Sequence, residues 1–332
     1  MARKLLLVFL AMMAVATLAI SQQSKQASAK QGQSKAAPIE EADGVIRGGV
    51  DLVNVLCTVR GKNGALLGSL EKSDFKVFED GKEQEIKYFT KETNVPLTIG
   101  LLVDVSGSMD TLIPTERRAG GQFFNEVLRK DDLAFIISFG KDSELLQDST
   151  NSLRLLQRGL DDLKLNAPVG MNRPGPVPTI QNQAGTVLYD AVYLAAEDRL
   201  RKEAGRKVIV LITDGEDTGS KTSRQEAIEA AQKSDVIIYS IFYSAGFGSG
   251  NEGVLKRMSE ETGGRVFQVD RRLNLADIFK QIQDEMRTQY SVSYSPANTI
   301  KDGGFRKLEF KMANKDYKVQ ARKGYYAIEG DR

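Results

Sequence analysis

Three oxygen-bearing side chains lie close together in one short segment of the sequence. Asp104, Ser106 and Ser108 follow an apolar run at two-residue steps, and Gly107 gives the backbone between the serines the freedom to turn tightly. Side chains at this spacing on a tight loop can point at a common centre. Because hard cations such as Mg²⁺ prefer oxygen ligands, the segment is a candidate cation site.

Two further polar positions extend this candidate site. Thr186 stands just before a segment of helical period, and Asp214 ends a second apolar run. Ligands of open α/β sheets bind outside the carboxyl ends of the strands, so we expect the two segments to meet Asp104 there. Two carboxylates neutralise a divalent cation, and a shell with an open position still attracts an anionic ligand. Each of these motifs alone is weak evidence for a binding site, but the five positions together form a specific pattern.

The elements that must position these residues alternate between strands and helices. This alternation predicts an α/β fold: a doubly wound, mostly parallel sheet flanked by helices. The predicted strands are Leu97–Val103, Leu133–Phe139, Val208–Ile212, Val236–Phe242 and Arg265–Val269, and the predicted helices lie near 115–129, 150–163, 187–202, 223–233, 252–261 and 274–287.

The two flanks of this region have β character only. Apolar residues alternate in residues 43–95, as at Val53, Val55 and Cys57, and alternate again in residues 289–332. Each flank holds too few short strands for an independent domain. We predict that the flanks pair into one small β-sandwich, in which the α/β domain of residues 96–288 is inserted.

The N-terminal residues 1–21 read as a secretory signal peptide, with Arg3 and Lys4 before an apolar run. The run from Leu5 to Ile20 is shorter than the ~20 residues that span a bilayer, although an uncleaved membrane anchor is the alternative. Residues 22–42 are rich in Gln, Ser, Lys and Ala and are interpreted as a flexible linker. We therefore expect a secreted or extracytoplasmic protein, in the periplasm, at the cell surface or in the medium, with no membrane contact except through an uncleaved signal segment.

The composition excludes several kinds of functional site. The chain contains no histidine, which excludes Ser-His-Asp and Cys-His nucleophile pairs and histidine-ligated zinc. A single cysteine excludes a disulfide framework within the chain. The 46 basic and 44 acidic residues give no charge excess typical of a nucleic-acid binder. The glycine-rich segment 215–222 has the wrong spacing for a phosphate-binding loop, so no nucleotide is expected.

The five positions Asp104, Ser106, Ser108, Thr186 and Asp214 resemble the metal-ion-dependent adhesion site of the von Willebrand factor type A domain. The resemblance covers residues 96–288, and the flanking segments 78–82 and 324–326 are similar to bacterial exported proteins related to that family. It implies Mg²⁺, with Mn²⁺ or Ca²⁺ as alternatives, held with Ser106 and Ser108 nearest the metal. It also implies that a Glu or Asp of a protein partner fills the open position.

A proline-rich segment, residues 165–185, leads directly into Thr186 and holds four of the eight prolines of the chain. A loop this long inside a domain is usually functional or disordered. Its prolines limit its freedom and its apolar side chains offer contacts, so we predict a partner-binding loop, with a mobile insertion as the alternative. The contact residues expected are Val169, Met171, Val177 and Ile180.

These observations favour an exported, non-enzymatic protein-binding or adhesion module that grips an acidic residue through a divalent cation. One alternative is a scaffolding or assembly subunit whose metal site is incidental. Another is a metal-dependent hydrolase, in which Glu216, Asp217 or a lysine would have to act as general base.

Overall fold

The structure is a computed structural model that describes residues 52–92, 95–165, 185–244 and 250–328. The predicted signal peptide and linker lie outside these residues. No helix in the described part of the chain is long and apolar enough to cross a bilayer.

The described residues form three sheets. The largest has six strands in the order β10-β9-β8-β5-β6-β7, and two four-stranded sheets have the orders β13-β1-β11-β4 and β14-β12-β2-β3. The strands are β1 (Val53–Arg60), β2 (Phe75–Glu79), β3 (Lys82–Gln84), β4 (Ile86–Glu92), β5 (Leu97–Asp104), β6 (Leu133–Phe139), β7 (Ser143–Thr150), β8 (Arg206–Thr213), β9 (Val236–Phe242), β10 (Val266–Gln268), β11 (Gln289–Tyr294), β12 (Phe305–Met312), β13 (Lys318–Ala321) and β14 (Gly324–Tyr326).

Helices cover both faces of the six-stranded sheet, as predicted for a doubly wound fold. Helices α1, α2 and α6 pack on one face and α3, α4 and α5 on the other. Their bounds are α1 (Ile113–Val127), α2 (Leu153–Asp161), α3 (Leu188–Leu194), α4 (Arg224–Lys233), α5 (Glu252–Thr262) and α6 (Leu275–Arg287). All eight residues of β5 are buried, which explains why the central strands are almost continuously apolar.

Two elements of the α/β domain differ from the sequence prediction. β7 was not predicted: it pairs antiparallel with β6 at the edge of the sheet, and none of its residues is fully buried. Its polar sequence therefore carries no apolar pattern. The single helix predicted over 187–202 is α3 followed by a π-helical segment, Ala195–Leu200, in which Arg201 N donates to the Ala196 carbonyl.

The two small sheets pack face to face around a core that contains Val55, Cys57, Val77 and Tyr290. Their strands come from both flanks of the chain, since β1 pairs with β11 and β13, and β2 pairs with β12. The α/β region leaves this sandwich after β4 and returns at β11, and these two strands pair with each other. Burial raises the pKa of the Cys57 thiol, consistent with a core residue.

Candidate functional site

The carboxyl ends of β5 and β8 position the two predicted aspartates. The strands are parallel neighbours, with Val103 opposite Ile212, so Asp104 and Asp214 leave the sheet at the same edge. After β5 the chain builds β6 and β7 on one side of it, and then returns to the other side as β8. This reversal of strand order opens a crevice where α/β proteins commonly bind ligands.

Asp104 is fully buried and is oriented by its neighbours. Its Oδ1 accepts a hydrogen bond from the Ser106 amide at 2.9 Å, and its Oδ2 accepts one from Thr213 Oγ1 at 2.5 Å. Burial raises the pKa of Asp104 to about 6, and the charge of nearby Asp214 adds to this, while the hydrogen bonds from Ser106 and Thr213 oppose it. Sequence analysis missed Thr213, although it directly precedes Asp214 at the end of a buried strand.

The two serines lie on the loop that follows Asp104. Ser106 Oγ and Ser108 Oγ are 3.1 Å apart, so the two hydroxyls lie within hydrogen-bond distance of each other. Residues Gly107–Met109 form a 3₁₀ turn whose fully buried Met109 anchors the loop to the core. Ser106 is half-buried and Ser108 is exposed, which leaves this side of the loop open to solvent.

Backbone hydrogen bonds hold Thr186 between the loops that follow β6 and β8. The amide of Val187 donates to the Gly140 carbonyl at 2.9 Å. The Thr186 carbonyl accepts from the amides of Thr218 and Gly219 at 3.1 and 3.0 Å. Thr186 thus belongs to the same edge of the sheet as the two aspartates. That all five residues act as ligands stays a prediction.

Asp217 has a structural role that sequence analysis did not identify. Its Oδ1 accepts hydrogen bonds from the Tyr189 amide at 3.2 Å and from Ser220 Oγ at 2.5 Å. Asp217 therefore caps the first turn of α3 and fixes the loop after β8 against it. Glu216, beside it, is exposed.

Glu116 is an unexpected acidic group in the interior. It lies in the first turn of α1 and is 1% exposed, and neither carboxyl oxygen accepts a hydrogen bond from a described residue. Burial raises the pKa of Glu116 to about 8, and the nearby charge of Asp104 raises it further. The sequence holds a signal for this burial, because Glu116 occupies the apolar stripe formed by Ile113, Gly120 and Phe123.

The donor set fits a hard divalent cation. In the described part of the chain, Asp104 and Asp214 form no ion pair with a lysine or arginine, so their charge lacks a counterion from the protein. No three histidine, cysteine, aspartate or glutamate side chains converge among the described residues. The available metal ligands are therefore two carboxylates and nearby hydroxyls, a set that suits Mg²⁺ rather than zinc.

The predicted partner-binding residues Val169, Met171, Val177 and Ile180 lie outside the described residues, which resume at Gly185. Their part in the site is thus a prediction from the sequence alone.

Comparisons with known proteins found similarity within the α/β domain. The family model of the von Willebrand factor type A domain matches residues 178–281, a segment that includes Thr186 and Asp214 and not Asp104. A comparison with curated protein sequences found no match.

Solved structures give weaker similarity. A von Willebrand factor type A protein from Catenulispora acidiphila is 12% identical, with a TM-score of 0.47 over 80% of this chain and 74% of that one. The conserved hypothetical protein BatB from Bacteroides thetaiotaomicron is 18% identical, with a TM-score of 0.43 over 57% of this chain and 97% of that one.

The family match agrees with the sheet order and with the placement of Thr186 and Asp214 at the carboxyl edge of the sheet. Domains of this family are typical of protein-interaction and adhesion modules. Residues 178–281 of the α/β domain are therefore similar to the von Willebrand factor type A domain.

Proposed function

We propose that the carboxyl edge of the six-stranded sheet binds Mg²⁺ and, through it, an acidic side chain of a protein partner. One observation carries this proposal: Asp104 and Asp214 leave adjacent parallel strands where the strand order reverses, and no basic residue in the described part of the chain pairs with them. The protein ligands are Asp104, Ser106, Ser108, Thr186 and Asp214.

The electrostatics of the edge support a cation. Holding Asp104 ionised in the interior is unfavourable, as its raised pKa shows, and a divalent ion beside it would remove that cost. Mg²⁺ takes about six oxygens and usually retains some waters, so five protein oxygens leave room for one more donor. Mn²⁺ and Ca²⁺ use the same donor chemistry and are the alternatives. A Glu or Asp of the partner supplies the last oxygen.

The exposed Ser108 and the half-buried Ser106 give this donor a direction of approach, since both lie on the solvent side of the loop. The proline-rich segment 165–185 precedes Thr186 directly, and its apolar residues supply further contacts to the partner. Replacing residues 168–180 with a Gly-Ser linker is expected to abolish partner binding and to spare metal binding.

We further propose that the module works outside the cytoplasm and is not an enzyme. The first point is supported by the signal-like residues 1–21. The second is supported by the lack of histidine in the sequence and by the engagement of Asp217, one of the candidate general bases, in capping α3. The proposed role is therefore adhesion or protein binding.

Calorimetric titration of the full chain with MgCl₂ tests the metal site. We expect saturable binding, and Asp104→Asn should abolish the signal, because it removes a ligand charge and keeps the size of the side chain. Asp131→Asn is the matched control: Asp131 is exposed in the turn before β6, at the opposite edge of the sheet, and loses the same charge. Equal Mg²⁺ affinity in the two variants would contradict the proposed site.

Partner binding needs a separate experiment. The immobilised full chain should capture a protein from the extracytoplasmic fraction in Mg²⁺, release it in EDTA, and fail to capture it as the Asp104→Asn variant. Capture that persists in EDTA and in this variant would instead favour the scaffolding alternative.

A further inference from the structure

A second candidate site lies at the opposite edge of the six-stranded sheet, where the sheet meets the β-sandwich. A cavity of about 450 Å³ opens there, between the first residues of β8, the turn before β9 and the C-terminal strand β14. This volume is within the range of small-molecule sites. A neighbouring cavity of about 360 Å³ shares Lys207, Asp235 and Arg322 with it.

The lining of the larger cavity is strongly basic. Among the described residues, five cationic side chains and one carboxylate, Asp235, contribute to it. Three of the cations are bound to acids: Arg322 to Asp235, and the other two to carboxylates outside the cavity lining. The cationic residues are Arg201, Lys207, Lys233, Lys301 and Arg322.

Lys207 is the cation that most clearly lacks a partner. It is half-buried at the start of β8, and among the described residues its ammonium group forms no hydrogen bond and no ion pair within 4 Å. Burial lowers the pKa of Lys207, while the more distant charges of Asp235 and Glu203 oppose this effect. An ammonium group in this position is stabilised by any anion that enters the cavity.

Two further donors line the same cavity without acceptors. Ser234 is 2% exposed, and its hydroxyl forms no hydrogen bond with a described residue. Arg322 binds Asp235 and the Asn54 carbonyl through its terminal nitrogens, but its Nε has no partner in the described part of the chain. Buried polar groups without partners are unfavourable, so these donors favour a ligand that accepts hydrogen bonds.

One part of the cavity wall is apolar and aromatic. Tyr325 and Tyr326 line it beside Leu52 and Ile300, and the latter two are 43% and 64% exposed. The rings are held in place, since the Tyr325 hydroxyl donates to Glu79 at 2.8 Å and Lys233 lies 5.1 Å from the Tyr326 ring centre. This wall suits the hydrophobic part of a ligand whose other end carries negative charge.

From this arrangement we infer that the cavity binds a small organic anion, a carboxylate or phosphate group attached to an apolar or aromatic body. Lys207 contacts the oxyanion and the tyrosines contact the body, whereas the buried Ser234 hydroxyl and Arg322 Nε reach the oxyanion when their side chains turn toward the cavity. The site is separate from the proposed metal edge, because Lys207 is the second residue of the strand that Thr213 ends.

Binding is tested on the full chain by calorimetry in EDTA at constant ionic strength, with benzoate, phenyl phosphate and inorganic phosphate as probes. Benzamide, a neutral analogue of benzoate, is the ligand control. We expect saturable binding of benzoate or of phenyl phosphate, and the probe that binds identifies the preferred oxyanion as a carboxylate or a phosphate. Inorganic phosphate and benzamide should bind more weakly. Asp104→Asn should bind these probes as the wild type does, so failure here is distinct from failure of the metal proposal.

Variants assign the binding to this cavity. Lys207→Gln and Ser234→Ala should each weaken binding, Lys207→Gln by about tenfold or more because it removes a charge-assisted hydrogen bond. Lys256→Gln removes the same charge from an exposed position on α5 and should have no effect. Ser234→Ala keeps the test valid if Lys207→Gln fails to fold, because it deletes only an unpartnered hydroxyl. Absence of saturable binding, or equal affinity in the Lys207, Ser234 and Lys256 variants, would overturn the inference.

Discussion

Glu116→Gln should stabilise the metal-free protein, and should do so more strongly as the pH rises. Burial holds the pKa of Glu116 at about 8 in the folded chain, against a normal value of 4.5. Between these two values the folded state keeps a proton that the unfolded state releases. The free energy of unfolding therefore falls as the pH rises from about 4.5 to 8, and the stability is fully present only below that window.

The size of the effect follows from the same two values. One pKa unit corresponds to about 1.4 kcal/mol, so complete ionisation of Glu116 costs about 5 kcal/mol of stability. Between pH 5 and pH 8 the loss is about 3.5 kcal/mol, because the unfolded state is already partly ionised at pH 5 and the folded state is half ionised at pH 8. Glutamine has nearly the same shape and no proton to lose, so it avoids this loss.

Urea unfolding in EDTA measures the difference at both pH values. Glu116→Gln should exceed the wild type by about 3.5 kcal/mol more at pH 8 than at pH 5. Glu126→Gln is the control on the same helix: Glu126 is exposed, and its substitution should change stability by less than about 0.5 kcal/mol at either pH. A Glu116→Gln effect that is equal at pH 5 and pH 8, or a loss of stability at pH 8, would show that Glu116 is ionised and stabilised in the folded chain.

Two predictions concern packing and hydrogen bonding away from the site. Gly100→Ala on β5 should destabilise the fold by about 1–3 kcal/mol, read from the urea midpoint, because an added Cβ would lie 2.4 Å from Phe135 Cζ. A midpoint equal to that of the wild type would mean that the Phe135 ring can shift to accommodate the added methyl group. Tyr294→Phe should cost about 1–3 kcal/mol in the same assay, because it deletes the hydroxyl that donates to buried Glu79 at 2.6 Å. Full stability in that variant would show that Tyr325 alone satisfies the carboxylate.

The central strands could be read from the sequence because burial on both faces leaves a continuous apolar run. β6 and β9 begin and end where the sequence predicts, and β5 differs by one residue. β7 could not be found in this way, because an edge strand with half-exposed residues shows neither a continuous run nor a clear alternation. The π-helical segment after α3 also lacks a sequence signal, since its side chains continue the apolar period of a helix.

The residues of the candidate metal site could be proposed from the sequence, whereas the contacts around them could not. Spacing along the chain pointed to Asp104 and its neighbouring serines, and strand ends pointed to Asp214. The hydrogen bond from Thr213 to Asp104 depends on the pairing of two strands that are more than a hundred residues apart. Such contacts arise from the topology of the sheet, which the local pattern does not encode.

The basic cavity is even harder to predict from the sequence than the candidate metal site, because its residues come together only in the tertiary structure. Lys207, Ser234 and Arg322 come from a strand, a helix end and a C-terminal loop, and none stands in a sequence motif. Each taken alone reads as an ordinary surface residue. Their shared feature, a donor with no acceptor among the described residues, arises only when the β-sandwich packs against the α/β domain.

The connection between the α/β domain and the β-sandwich affects whether ligand binding at Lys207 can influence ligand binding at Asp104. Helix α6 ends at Arg287 and β11 begins at Gln289, so one residue separates the domain from the sandwich. Near this junction Glu285 is 1% exposed at its side chain and binds both Arg60 of β1 and Arg265. A buried carboxylate shared by two arginines resists separation, because removing either partner leaves charge in the interior. The short link and the shared ion pair therefore oppose hinge motion, so an anion at Lys207 and a cation at Asp104 should bind independently.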